Sequence, residues 1–311
     1  MGALIARFRA PTRGFVMGWA WASLVANIVI VLTGGAVRLT ASGLGCPTWP
    51  RCTDQSFVPH RALGVHGVIE FGNRMLTYVL VAVAVATWVA VMRWTAKGDR
   101  RRSIATVLAL GIPLQGVLGG VTVLTDLNPW IVAQHLMLSM GLIATSVLLL
   151  DRLGETVAEQ LTPAVLWLVR GTYAMVWVVL YVGTVVTGSG PHAGDLDSPR
   201  NGLDPQLMSH VHAACVYVLV ALTVACVIAS RGPASGRLRR TACWLLGVEL
   251  SQGAVGFVQY ATDLPIVLVW SHLLGASVLM AVATRLALVA SRSRTHAGAR
   301  SPDGSLDLST R

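Results

Sequence analysis

Two histidines recur at matched places in this chain, and a third stands near the second, all inside segments with almost no other charge. The stretch carrying Gln115-Gly116, Thr125-Asp126-Leu127 and His135-Leu136 returns 137 residues later as Gln252-Gly253, Thr262-Asp263-Leu264 and His272-Leu273. Gln to Asp is 11 residues in both copies, and Asp to His is 9. A second match sets Tyr78-Val79-Leu80-Val81-Ala82 against Tyr217-Val218-Leu219-Val220-Ala221 at an offset of 139, which puts His212 opposite Asn73. The later copy thus has two histidines, His212 and His272, and the earlier copy has His135 and an asparagine. His212 is some 6 residues into its apolar run and His272 is 7 past Pro265. At about 1.5 Å per residue both lie roughly 10 Å deep. Two level imidazoles on neighbouring helices of a bundle are placed to ligate a haem iron from both faces. The bland alternative is a pair bonded to helix backbone or to Ser and Thr, with no metal. The duplication and the cost of polar groups in lipid favour the haem.

The earlier copy offers other chemistry at the same depth. His66, Glu70 and Asn73 are four and three residues apart and share one helix face. An intramembrane carboxylate is costly unless paired or protonated, which suits a group that accepts or relays a proton. An i,i+4 ion pair of Glu70 with Arg74 is the structural alternative, and His66 is close enough to the boundary to be a solvated loop residue. Between the first two apolar runs lies Gly35-Ala36-Val37-Arg38-Leu39-Thr40-Ala41-Ser42-Gly43-Leu44-Gly45-Cys46-Pro47-Thr48-Trp49-Pro50-Arg51-Cys52. No further Cys or His flanks Cys46 and Cys52 at zinc spacing, so a disulfide is favoured over free thiols or a metal site. Cys215, Cys226 and Cys243 read as apolar packing.

The elements that must position these groups are membrane helices. Of 311 residues, 54% are hydrophobic and 12% charged, and the mean hydropathy is +0.64, which excludes an ordinary soluble domain. Eight apolar runs lie near 15–37, 67–92, 104–125, 130–150, 164–187, 207–230, 241–261 and 265–290. The first is too long for a cleaved signal and reads as a span. The net charge of +10 does not point to nucleic acid, because its placement is topological. Arg7, Arg9 and Arg13, then Arg93 to Arg102, Arg231 to Arg240, and Arg292 to Arg300 all fall on one side of alternating spans. The positive-inside rule makes both termini cytoplasmic. The organisation expected is a cytoplasmic segment 1–14, a four-helix half 15–150, a linker 151–163, a second half 164–290 and a disordered tail 291–311. Four spans per half insert the same way up, so the halves should be tandem bundles related by a pseudo-two-fold axis along the membrane normal.

The loop from Gly35 to Cys52 resembles that of the haem A synthase family, as do Ile69-Glu70-Phe71-Gly72-Asn73-Arg74, Gln134-His135, Thr187-Gly188-Ser189-Gly190-Pro191-His192 and the histidines His212 and His272. The likeness spans roughly residues 20 to 290. It implies an all-α, eight-span integral membrane oxidoreductase of the plasma membrane that converts the C8 methyl of haem O to a formyl group by successive hydroxylations. It further implies a haem b cofactor on His212 and His272, a substrate haem O site at His135 and Glu70, and a disulfide of Cys46 with Cys52. Arg38 and Arg74 are candidates for the haem propionates, with interfacial anchoring as the alternative. The family pattern has a histidine where this chain has Asn73, which leaves His135 to ligate alone or with His66. A second cysteine pair of some relatives is absent from 189–205. A contact with haem O synthase, an unidentified electron donor and a homo-oligomer are the partners considered. The rival reading is a non-enzymatic b-type electron carrier or haem transporter, which needs the same later histidines but no carboxylate in the earlier half.

Overall fold

The computed structural model describes residues 2–154, 159–232, 235–292 and 294–295. A short helix α1 (Gly2–Arg9) precedes eight long ones: α2 (Arg13–Leu39), α3 (Gly64–Trp94), α4 (Arg100–Leu124), α5 (Pro129–Leu153), α6 (Pro163–Ser189), α7 (Pro205–Ala229), α8 (Gly236–Ala261) and α9 (Ile266–Ser291). All eight are long and apolar enough to cross a membrane, and the protein is a multi-pass membrane protein. Each expected span coincides with one of these helices, to within five residues at either end. The side chains of Thr12, Asp99, Asn128, Thr162 and Asp204 accept from the first-turn amides of α2, α4, α5, α6 and α7. Pro129, Pro163 and Pro205 occupy first helical positions, where no amide is needed.

The repeated Thr-Asp-Leu makes one turn twice. Asp126 and Leu127 have φ of 51° and 59°, and Asp263 and Leu264 have 56° and 58°. Leu127 N–H donates to Thr122 O at 2.8 Å, and Leu264 N–H donates to Gln259 O at 2.9 Å. These αL turns satisfy the last carbonyls of α4 and α8 and reverse the chain in five residues or fewer. The reversal brings α4 against α5 and α8 against α9 with the histidine six residues into the second helix of each pair.

Helices α2, α3, α4 and α5 pack in a closed ring, and so do α6, α7, α8 and α9. The halves meet through α2 on α9, α5 on α6 and α5 on α9. Exchanging the halves maps this set of contacts onto itself. On the arginine-rich side, the buried Asp151 of α5 pairs with Arg285 of α9 and with Arg292 at 2.5 Å. On the opposite, disulfide-loop side, Arg38 of α2 donates from Nε to His192 O at 2.6 Å and from Nη2 to Thr187 O at 3.0 Å. Gly43 N–H donates to Gly194 O at 2.8 Å. Between these levels, Leu273 packs where a Cβ on Gly35 would stand, 2.3 Å away. Alanine there would push α2 off α9.

Of the linker, residues 160–161 pair in parallel with 294–295 of the tail, and Glu159 accepts from the Arg237 and Leu238 amides at the start of α8. The rest of the expected disordered tail, 296–311 with 293, lies outside the described residues, as do 155–158.

Candidate functional site

The later half brings its histidine pair together. His272 lies six residues into α9 and His212 seven residues into α7, with His212 within electrostatic reach of His272. Both rings are half-buried, and their Nδ1 atoms are shut away without a hydrogen-bond partner. The Val179 carbonyl of α6 interacts with the His212 ring, yet Nδ1 has no bond of normal geometry. A Cβ on Gly183 of α6 would stand 3.2 Å from His212 Cε1, and one on Gly256 of α8 would stand 3.9 Å from His272 Cε1. The His212 ring thus lies where a side chain on Gly183 would crowd it, while the His272 ring is at ordinary contact distance from Gly256.

His135 repeats the arrangement once. Its Nδ1 is also buried and unpartnered, and Gly119, the repeat partner of Gly256, would place a Cβ 3.2 Å from Cε1. Gln115 braces the helix below, donating to His135 O at 3.2 Å and to Ser139 Oγ at 2.6 Å. The other position of the pair is closed. Asn73 Oδ1 accepts from Thr33 Oγ1 of α2 at 2.8 Å, so the amide that stands where His212 stands in the later half is tied to its neighbour. His66 is exposed in the first turn of α3, with Nδ1 2.9 Å from Ser42 Oγ. It is engaged by the loop.

That loop covers the earlier half. Cys46 and Cys52 are joined in a disulfide and fully buried. Glu70, 5% exposed, holds it from beneath: Oε2 accepts the Cys46 amide at 2.5 Å, and Oε1 accepts Arg74 Nη2 at 2.5 Å and Nε at 3.1 Å. Arg74 also donates to the carbonyls of Cys46, Thr48 and Arg51 at 3.0, 3.0 and 3.2 Å. The i,i+4 pair therefore forms, and both its members are spent on the loop. Trp49 descends from the loop onto α4, its ring occupying the place of a Cβ on Gly120, with the nearest ring atom 2.4 Å away. Gly120 adjoins Gly119 but points about 100° round the helix, so the loop meets α4 at the level of His135, beside the face on which its ring lies. Arg38, expected near a ligand, instead braces the two halves through the carbonyls described above.

Several of these groups carry no signal in a reading for motifs. Thr33 and the glycines facing the histidines become visible only when helices are paired in space, as does the seat on α4 of Trp49, itself part of the loop motif. Glu249 was legible as a lone acid in the seventh apolar run. It is 3% exposed, with Oε1 accepting from Thr223 Oγ1 of α7 at 2.7 Å and Oε2 buried without a partner.

The family model for COX15-CtaA, described as cytochrome oxidase assembly protein, matches residues 17–193, which contain the loop, Glu70 and His135. Similar curated proteins cover the rest. A heme A synthase of Symbiobacterium thermophilum is 28% identical over 76% of this chain and 82% of its own length. Heme A synthases of Bacillus licheniformis and Brucella anthropi are 24% and 28% identical, each over 87% of this chain and 94% and 90% of their own. This chain belongs to the COX15-CtaA family of cytochrome oxidase assembly proteins.

Proposed function

We propose that the protein is a haem A synthase of the plasma membrane, an oxidoreductase that acts on the C8 methyl of haem O through two hydroxylations and loss of water to the aldehyde. The observation that carries this reading is the state of the three histidines. Each has a buried Nδ1 without a protein partner, and each ring is packed edge-on to a glycine. In a bilayer an imidazole left so would cost free energy that a structural histidine avoids by bonding its neighbours. An iron at Nε2, the ring nitrogen that is not shut away, would fix the ring and leave Nδ1 as its N–H. His212 and His272 would hold haem b, and a pair of protein ligands suits electron storage rather than reaction at the iron. Bound there, haem b supplies one-electron chemistry.

His135 would orient the substrate haem as its single protein ligand, because Asn73 is held by Thr33 and His66 by Ser42. The opposite face is thereby left free for reaction. The Cys46–Cys52 loop, with Trp49 on α4, excludes water and lipid from that face. Glu70 fixes the loop through the Cys46 amide and is the acid–base group we assign to the rim, its proton exchanged against the Arg74 pair. The disulfide-loop side would face the outside of the cell and both termini the cytoplasm, as the arginines ask. Haem O, being scarce and insoluble, would pass by direct contact from the enzyme that makes it.

Co-expression with a haem O source, followed by chromatography of extracted haem, tests the reading. Formyl-haem should appear with the intact protein and not with His135→Ala. A protein that binds b-type haem yet yields no formyl-haem would instead be a carrier, and a colourless one would be neither.

A further inference from the structure

The duplication is an internal control for what the later half adds. At the offset of 137, Glu249 of α8 corresponds to Ile112, and at 139, Thr223 of α7 corresponds to Ala84. Ile112 and Ala84 are both buried in the apolar core of the earlier half. In the later half both positions are polar and are bonded to each other at 2.7 Å. The pair is present as a unit in the half with two histidines and absent as a unit from the half with one. Core packing alone would not exchange two buried apolar residues of one core for an acid and its donor.

Glu249 has no cation beside it: among the described residues it makes no ion pair. The helices packed on α8 are α7 and α9. From α7, Thr223 and Cys226 face it, Cys226 being bonded in turn to Thr172 of α6 at 3.4 Å. The titratable group on α9 nearest its level is His272. Seven residues of α8 separate Glu249 from Gly256, which lies against that ring, or about 10 Å along the helix axis. Gln252 fills the interval on the same helix face. It is packed on Gly275 of α9 with its Oε1 buried and unpartnered. An ionised carboxylate here would be prohibitively costly without positive charge in the same bundle. The group held by His212 and His272 is the one source of such charge that the site offers.

We propose that Glu249 is the charge-compensating proton site of the later half: a carboxylate while the iron held by His212 and His272 is ferric, and a carboxylic acid hydrogen-bonded with Thr223 once it is ferrous. One electron arriving from an external one-electron donor reduces the iron, and one proton from water neutralises Glu249, so the net charge of the bundle does not change. This rests on the haem b reading above.

Spectroelectrochemical titration of the purified holoprotein across neutral pH tests it. The midpoint potential should fall as pH rises in the wild type, and that slope should be lost in Glu249→Gln. The redox-induced infrared difference spectrum should show a carboxylic C=O band that vanishes in Glu249→Gln and shifts in Thr223→Val. Should Glu249→Gln fail to fold, Thr223→Val with Glu249→Asp carries both readouts. An unchanged slope in haem-loaded Glu249→Gln, or a haem-loaded wild type whose difference spectrum lacks that band, overturns the proton site and leaves the haem reading intact. A protein without haem overturns both.

Discussion

The two halves share a turn, a glycine and a histidine, and diverge in everything around them. The later half is polar in its middle: a second histidine, an unpaired Nδ1 on each ring, and Glu249 bonded to Thr223. The earlier half is polar on its rim and apolar in its middle, with Glu70 and Arg74 clamped to a disulfide loop and Ile112 and Ala84 below. On the proposed reading, one copy would grip a group from two sides and balance its charge, and the other would grip from one side beneath the disulfide loop. Permanent cofactor and transient substrate are the division of labour that this contrast fits.

The strongest way to break the contrast is to remove the later pair. His212→Ala with His272→Ala should abolish the haem b spectrum of the purified protein, while Gly35 against Leu273 and the Asp151 pairs keep the halves assembled. Retention of the full spectrum would show that the cofactor sits elsewhere. Next in size is Glu70→Ala. It leaves Arg74 with carbonyls alone and the Cys46 amide without an acceptor, at a cost of about 3–5 kcal/mol where the pair is buried. Haem b should stay and formyl-haem should disappear, with the loop becoming sensitive to protease in detergent. Normal turnover in that variant would detach the clamp from catalysis.

Asn73→His sharpens the comparison by making the halves alike. If Asn73 is what leaves the substrate iron open, a histidine there should convert bound haem O to a six-coordinate low-spin spectrum and slow its oxidation. An unchanged spectrum would mean that Thr33 and the α2 backbone, rather than residue type, set the open position. Gly119→Ala is gentler: its Cβ would meet His135 Cε1 at 3.2 Å. Overpacking of that kind costs about 1–3 kcal/mol. Haem O binding should weaken while the haem b spectrum is untouched.

The sequence made much of this legible because lipid leaves few choices. Long apolar runs must be helices, so the eight spans and the histidine depths followed from length and charge. The repeat showed which positions correspond, and hence that Asn73 stands where His212 stands. It could not show that Asn73 is bonded to Thr33, which belongs to another helix with no fixed spacing to it. Nor could it decide whether Glu70 relays protons or clamps Arg74, because both readings use the same four-residue interval. The structure adds the clamp, since Cys46, Thr48 and Arg51 all turn their carbonyls to Arg74. Glu249 was readable as an acid in lipid, but its meaning depends on Thr223, 26 residues away on another helix.

The smallest expected effect probes the least visible of these contacts. Thr33 Oγ1 donates to Asn73 Oδ1 at 2.8 Å and lies 3.2 Å from the carbonyl of Ile30. Thr33→Val keeps the shape and removes the donor, costing about 1 kcal/mol as one net hydrogen bond. Asn73 would then be free to turn into the space beside His135. If tying it back is what clears the substrate site, Thr33→Val should raise the KM for haem O a fewfold with kcat little changed, and the combination with Asn73→Ala should restore the wild-type KM. Were the double variant no better than the single, Thr33 would act on α2 packing rather than on Asn73, and the open face of the earlier half would need another cause.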